Sequence, residues 1–252
     1  MRGAFFTVES NRALAPGVFE LVLAGDCSAV QRPGQFVNVA VPGLFLRRPI
    51  SICDWSANSM TLLVRTVGRG TAWLEKIARG EKLYLLLPLG NGFDISAVPD
   101  GGTAILASGG IGIAPLYALA KALLASGRRC VAALGFRCAS DVFYADEFAA
   151  IGCEVAIATE DGSRGQRGYV TDVVRAYCTH GRRGTEYLFA CGPEPMLKAL
   201  AANGWTSSAQ FSLEARMGCG FGACMGCTTE TTHGPARICH EGPVFRVEDL
   251  KW

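Results

Sequence analysis

Short apolar runs separated by Pro-Gly and Gly-rich breaks fill the first part of the chain. Phe5–Val8, Val18–Leu23, Phe36–Val41, Ile50–Asp54, Met60–Val64 and Leu83–Leu87 are rich in Val, Leu, Ile and Phe. Pro16–Gly17, Pro33–Gly34, Pro42–Gly43 and Gly68–Gly70 divide them. Several short strands at this spacing predict an antiparallel β-barrel over residues 1–98. One helix fits Thr71–Ala78, with Thr71 as its N-cap and Gly80 as its stop.

The rhythm changes after the Pro-Asp-Gly-Gly stretch at 99–102. Strand patterns at Thr103–Ala107, Cys130–Gly135, Glu154–Ala158 and Tyr187–Ala190 now alternate with helical ones at Ala114–Ala125, Val142–Ala150, Val170–Cys178 and Pro193–Ala202. Alternation of this kind predicts a parallel sheet with helices on both faces over 99–208. A strand apolar along its whole length, such as Thr103–Ala107, fits burial on both sides. From about Gln210 the pattern fades into Gly, Cys and Thr. A segment this poor in core residues needs something other than burial to order it, and a metal site can do so. The expected fold class is therefore α+β multidomain: a barrel at 1–98, an α/β parallel-sheet domain at 99–208 and a small C-terminal segment at 209–252.

Composition narrows the partners. Half of the 252 residues are hydrophobic and the formal net charge is +2. Nucleic-acid and membrane surfaces usually need a clustered basic face, whereas Arg47–Arg48, Arg128–Arg129 and Arg182–Arg183 are isolated doublets. The first residues lack the basic and apolar runs of a signal peptide. The longest apolar stretch, Ala104–Ala120, is broken by Gly109, Gly110, Gly112 and Pro115 and falls short of the ~20 residues of a spanning helix. A soluble, cytoplasmic protein is expected, with neither nucleic acid nor membrane as partner.

Eleven cysteines without an export signal argue for thiols rather than a disulfide framework. Four of them, Cys219, Cys224, Cys227 and Cys239, stand as C-x4-C-x2-C-x11-C. Plant-type ferredoxins use the x4/x2 spacing to ligate a [2Fe–2S] cluster. Gly218, Gly220, Gly222, Ala223 and Gly226 fill the loop with small residues, which let backbone N–H groups approach cluster sulfurs. Zinc is the alternative, with His233 and His240 nearby, although zinc sites more often pair two C-x2-C units or a His pair. The spacings of Cys27, Cys53, Cys130, Cys138, Cys153 and Cys178 show no ligand pattern.

Two glycine turns mark a nucleotide site. Ser108–Pro115, with Gly109, Gly110 and Gly112, links a strand to a helix, where N–H groups and the helix end can meet phosphate. Pro115 stands where the G-x-G-x-x-G fingerprint needs glycine, and tight packing alone explains such a turn equally well. Cys191, Gly192 and Pro193 form a second strand-to-helix turn. Both turns on one sheet edge would flank one crevice, with Cys191 facing a nicotinamide or packing as a buried thiol. Glu160 and Asp161 follow a third strand and favour NADH over NADPH, while Arg137 leaves the other choice open. The acidic and aromatic stretch Asp141–Phe148 has no evident role.

Arg48, Pro49, Ile50 and Ser51 lie on a barrel strand. Arg48 offers a guanidinium fork for pyrophosphate and Ser51 a hydroxyl for a flavin ring. Leu63, Val64 and Arg65 follow, then Gly70 and Thr71 in a second phosphate-friendly turn. Alone, R-P-x-S reads as an ordinary strand. In order, though, R-P-x-S, G-G-x-G-x-A-P, C-G-P and the cysteine quartet resemble the ferredoxin-reductase family of flavoproteins. Nearly the whole chain is similar to the electron-transfer subunits of class 1B dihydroorotate dehydrogenases, Gly90–Phe93 and Glu160–Ser163 included.

The resemblance implies FAD held by Arg48 to Ser51, Leu63 to Arg65 and Gly70–Thr71, with NAD at the glycine turns and a [2Fe–2S] cluster on the four cysteines. It implies an FMN-containing catalytic subunit as partner, in a heterotetramer with two of each chain. Electrons would run from that FMN through cluster and FAD to NAD+ in pyrimidine (UMP) biosynthesis. No acid–base triad is expected, because the cofactors carry the chemistry. Two alternatives remain: a related subunit linking NAD(P)H to ferredoxin or sulfur compounds, and a non-catalytic binding module with structural zinc.

Overall fold

The computed structural model describes residues 1–180, 186–203 and 209–252. The Arg182–Arg183 doublet and the end of the second unit at 208 lie outside the described residues.

Strands β1 (Arg2–Ala15), β2 (Val18–Ala24), β3 (Phe36–Val39), β4 (Arg48–Trp55), β5 (Ser59–Arg65) and β6 (Lys82–Leu89) close into a barrel in the order β1-β2-β5-β4-β3-β6. Every neighbouring pair is antiparallel. Alternation supplies the interior: Leu83, Leu85 and Leu87 of β6 point inward beside Phe6, Leu21, Val37 and Leu62. β1 runs well past the expected Phe5–Val8, because its polar second half, including Asn11 and Arg12, pairs with β2. Pairing, not hydrophobicity, makes that half a strand.

Helix α1 (Arg69–Leu74) starts two residues before the expected Thr71 and ends earlier. Thr71 sits inside its first turn, where its hydroxyl accepts from the Val67 and Gly68 N–H groups at 2.9 and 3.2 Å. The side chain reaches back across the turn, so Gly68 becomes the cap.

The second unit follows the alternating pattern: β7 (Thr103–Gly109), α2 (Ala114–Ala125), β8 (Arg129–Phe136), α3 (Ala145–Ala150), β9 (Glu154–Thr159), β10 (Gln166–Arg167), α4 (Val170–His180), β11 (Glu186–Cys191) and α5 (Glu194–Ala202). The last part adds β12 (Ala209–Ser212), the hairpin of β13 (Thr228–Thr231) and β14 (Gly234–Arg237), and β15 (Val244–Arg246). The sheet runs β10-β9-β8-β7-β11-β12-β15 and is parallel except at β12–β15. Ala104 and Leu106 face α2 and α3, whereas Ile105 and Ala107 face α4 and α5. The strands are thus buried on both sides. β12 and β15 tie the C-terminal segment into this sheet.

α3 begins at Ala145, three residues after the expected Val142, because Tyr144 adopts a left-handed φ of 64°. That turn buries Phe143 and Tyr144 and gives the Asp141–Phe148 stretch its role. The Tyr144 hydroxyl donates to Glu20 Oε2 of the barrel at 2.6 Å. Nearby, Lys121 Nζ of α2 donates to Asp54 Oδ2 of β4 at 2.6 Å. These contacts fasten sheet to barrel.

Candidate cofactor-binding site

The four cysteines lie in the loop before β13 and in the turn after β14. They approach one another as two pairs. The Cys219 N–H points to Cys224 Sγ at 3.5 Å, and the Cys239 N–H to Cys227 Sγ at 3.4 Å. Among the described residues, no group of three or more His, Cys, Asp or Glu converges on a point suited to one metal ion. Two thiol pairs match a two-iron cluster better than a single tetrahedral zinc, which needs four ligands around one centre.

The loop also supplies the expected N–H groups: Phe221 and Ala223 aim theirs at Cys219 Sγ, at 3.5 and 3.2 Å. Burial works against the Cys219 thiolate, but these bonds outweigh it and bring the thiol down to about 6. Burial and the adjacent Cys227 push Cys239 up to about 12. Positive φ at Gly220, Gly222 and Met225 makes the loop wrap tightly. The donor set therefore fits an iron–sulfur cluster. His233 bonds Asp249 and His240 bonds Glu241, both through ring nitrogens at 3.1 and 3.0 Å, so each already has a partner outside the cysteine group.

On the barrel, β4 presents Arg48, Pro49, Ile50 and Ser51, all half-buried. Arg48 lies against Gly70: a Cβ there would stand 2.2 Å from its Nε, so only glycine leaves room for the guanidinium. The structure thus brings together Arg48 and the Gly70–Thr71 turn, two parts of the expected flavin site. Thr71 itself is buried with its hydroxyl engaged in its own turn. Leu63 and Val64 are buried, while Arg65 is exposed and reaches Gly110, where an added Cβ would lie 3.4 Å from its guanidinium. The Arg65 guanidinium of the barrel thus lies beside the glycine turn of the sheet.

The two glycine turns meet at the carboxyl edge of β7 and β11. A Cβ on Gly112 would fall 2.0 Å from the Cys191 carbonyl oxygen, and one on Gly192 would fall 2.9 Å from the Gly109 nitrogen. A Cβ on Gly109 would strike Pro193. Close packing therefore accounts for all three, against backbone at Gly112 and Gly192 and against the Pro193 and Met196 side chains at Gly109, and it sets the two turns side by side. Gly110 differs, with a φ of +55° and Arg65 as its neighbour. Cys191 is buried, and burial raises its thiol well above the ordinary value. Farther along the sheet edge, Arg137 Nε donates to Asp141 at 2.8 Å, and Asp161 accepts from Ser163.

Sequence reasoning gave no individual role to four residues. Asn38 of β3 donates through Nδ2 to the Cys219 carbonyl at 2.9 Å. Asn91 donates to the Glu241 and Val244 carbonyls at 2.9 and 2.8 Å and holds the returning arm. Glu214 is solvent-exposed yet crowded by protein, which raises its carboxyl against the pull of Arg65. Ser108, fully buried at the end of β7, has a hydroxyl without a protein partner. Ser108 and Asn91 stand inside the Ser108–Pro115 and Gly90–Phe93 stretches without a role of their own, and Asn38 shows only as the polar interruption of Phe36–Val41.

Comparison with known proteins agrees with this geometry. A family model described as the iron–sulfur cluster binding domain of dihydroorotate dehydrogenase B matches residues 214–251, and an oxidoreductase NAD-binding domain matches residues 106–202. The chain is 44% identical over 257 residues to the dihydroorotate dehydrogenase B (NAD(+)) electron transfer subunit of Bacillus caldolyticus, covering 97% of this chain and 96% of that one. The same-named subunit of Listeria monocytogenes is 41% identical over 245 residues, covering 94% of each. Among solved structures, a chain of the NADH-dependent reduced ferredoxin-NADP oxidoreductase of flavin-based electron bifurcation superposes with a TM-score of 0.88 at 28% identity, over 99% of this chain and 90% of that one. Phthalate dioxygenase reductase shares the fold, with a TM-score of 0.64 at 19% identity over 91% and 87% of the two chains. By these relatives, and by the order of its motifs, the chain belongs to the family of electron transfer subunits of dihydroorotate dehydrogenase B (NAD(+)).

Proposed function

We propose that this chain carries electrons from an FMN-containing, dihydroorotate-oxidising partner to NAD+, in pyrimidine (UMP) biosynthesis. It is a flavin and iron–sulfur oxidoreductase subunit that uses FAD, a [2Fe–2S] cluster and NAD. Nicotinamide moves two electrons as hydride, the cluster moves one, and a flavin between them exchanges one mode for the other.

One observation carries the reading. The Cys219 backbone is hydrogen-bonded to the barrel strand that pairs with Arg48–Ser51, while Arg65 of the same barrel lies beside Gly110 of the sheet. This proximity supports an order of cluster, flavin and nicotinamide that the electrons need. Cys219, Cys224, Cys227 and Cys239 hold the cluster. Arg48 neutralises the FAD pyrophosphate with help from the Gly70–Thr71 turn, and Pro49, Ile50, Ser51, Leu63, Val64 and Arg65 line the flavin. Gly109, Gly110, Gly112, Cys191, Gly192 and Pro193 shape the nicotinamide crevice. Because Arg137 is engaged by Asp141, NADH is favoured over NADPH. Residues 1–98, 99–208 and 209–252 serve FAD, NAD and cluster in turn.

The partner docks over Met217–Thr228, where Phe221 and Met225 are exposed, and two copies of each chain make a heterotetramer in the cytoplasm. No helix among the described residues is long and apolar enough to cross a membrane. The test is the purified complex. It should contain flavin with iron and sulfide in equal amounts, and should form NADH from dihydroorotate and NAD+. Slower hydrogen exchange over Met217–Thr228 on adding the partner would support the docking face. The likeness to the ferredoxin-NADP oxidoreductase favours a second reading, with a ferredoxin as electron donor. NADH formation from reduced ferredoxin but not from dihydroorotate would select it.

A further inference from the structure

Asn38 is a buried polar side chain in a barrel strand that is otherwise apolar. Phe36 and Asn38 face away from the barrel interior, and Val37 and Val39 face into it. In β3–β4 pairing, Phe36 stands opposite Ser51 and Asn38 opposite Pro49. Directly opposed residues of an antiparallel pair share a face, so Asn38 shares the outer face of the strand pair with Pro49 and Ser51.

The side chain is 1% exposed. Its Nδ2 donates to the carbonyl of Cys219, which is 181 positions away in sequence. Its Oδ1 is buried without a partner in the protein. A leucine of similar shape would avoid burying an amide oxygen without a partner, so packing alone gives no reason for an amide here. The loop is fitted to this side chain in return. Gly220 has a φ of +78°, and a Cβ on it would lie 2.4 Å from Asn38 Nδ2.

We propose that Asn38 is a positioning residue for the one-electron step: it fixes the first cluster cysteine against the flavin face of the barrel. The proposal rests on the assignment above of cluster and FAD to these residues. During NADH oxidation the flavin gains two electrons as hydride, and the cluster then gains one electron that the reduced flavin loses. Asn38 bears on the second event and not on the first. The bond it makes ends on the backbone of a ligand, the kind of outer contact whose loss commonly costs 10–100-fold in metal affinity or activity.

The experiment uses the full complex with Asn38→Leu and Asn38→Asp. The Asp variant keeps the shape and sets a carboxylate oxygen in place of the donor, facing the Cys219 carbonyl, so it breaks the same bond and carries the test if the Leu variant fails to fold. Anaerobic stopped-flow mixing with NADH resolves the two events. Hydride transfer to the flavin should match wild type, and cluster reduction should slow by about tenfold. Independently of turnover, a chelator should strip iron about tenfold faster from both variants. Gly220→Ala, which crowds the same bond from the other side, should behave alike. Loss of the cluster with hydride transfer intact also counts for the proposal. Wild-type rates for cluster reduction and iron loss in both variants would overturn it, as would an equal slowing of both electron events. A wild-type complex without iron, sulfide or flavin would instead sink the functional assignment itself.

Discussion

The barrel and the C-terminal segment sit side by side and are held in opposite ways. The barrel closes on itself around Phe6, Leu21, Leu23, Val37, Leu62, Leu85 and their neighbours, a core its own strands provide. The segment has almost none. Its local cluster comprises Phe36, Leu89, Cys227, Ile238 and Cys239. The first two belong to the barrel and two others are cysteines of the quartet, which leaves Ile238 as the segment's own fully packed side chain, with Leu213, Ala215, Met217 and Phe245 half-buried against it. What holds the segment besides β12 and β15 is a set of polar tethers: Asn38 to Cys219, Asn91 to Glu241 and Val244, and the Asn91 N–H to Gly242. One region is ordered by burial. The other is ordered by tethers and, when loaded, by ligation.

The largest effect should follow from removing ligation. Cys227→Ser, or stripping iron from the complex, should bring amide protection over 214–251 close to that of an open loop, because metal-binding energy is folding energy in a segment with so small a core. The barrel should keep its protection, and hydride exchange with the flavin should persist while electron transfer to the partner stops. Hydrogen exchange with mass analysis reads both regions at once. Equal loosening of barrel and segment would erase the contrast.

Next comes a change that burial should punish. Gly112→Val drives a side chain into the Cys191 carbonyl, 2.0 Å from where its Cβ must stand. The backbone crossing cannot yield cheaply, so stability should fall by about 3 kcal/mol, read from denaturant midpoints. Nucleotide binding should weaken as well, since the same crossing sets the crevice. The segment's cluster spectrum should stay unchanged in the folded fraction.

These contrasts explain what the chain disclosed in advance. The barrel and the sheet were legible because burial writes itself as alternating and continuous apolar runs, as in Leu83–Leu87 and Thr103–Ala107. The cysteine quartet stood out because ligation, as proposed for its four thiols, would fix spacing. Tethers write nothing so regular. Asn38 and Asn91 act across long separations, and a lone Asn in a strand or a Gly-Asn-Gly turn has many uses. The polar half of β1 was hidden for the same reason, since its order comes from a partner strand. The glycine turns were visible with two readings, nucleotide binding and tight packing, and Gly109, Gly112 and Gly192 do pack closely against the neighbouring turn. Asp141–Phe148 stayed opaque because its function is to turn two aromatic rings into a seam, through a left-handed Tyr144 that no local pattern announces.

A smaller effect is expected from the returning tether. Asn91→Ala removes two donated bonds and one accepted bond, the last from the Val244 N–H at 3.2 Å. The freed backbone groups lie at a partly open edge where water can replace some of the bonds. The cost should be about 1–2 kcal/mol. It should appear as faster exchange at 241–244 and not in the barrel.

The smallest effect should come from the seam, and it tests how far the contrast extends. Tyr144→Phe keeps the ring, its edge-on contact with Tyr117 at a centroid distance of 5.2 Å and the left-handed turn. It deletes only the hydroxyl that donates to Glu20. Glu20 is not stranded, because Arg12 still donates to it at 3.0 Å from the other side. The loss should therefore be about 1 kcal/mol, as for one buried hydrogen bond whose acceptor keeps a partner. Thermal unfolding of the variant measures it. If Tyr144→Phe instead cost as much as Gly112→Val, the barrel would be joined to the sheet chiefly by a polar tether. The division between a region held by burial and a region held by tethers would then not follow the chain's domains at all.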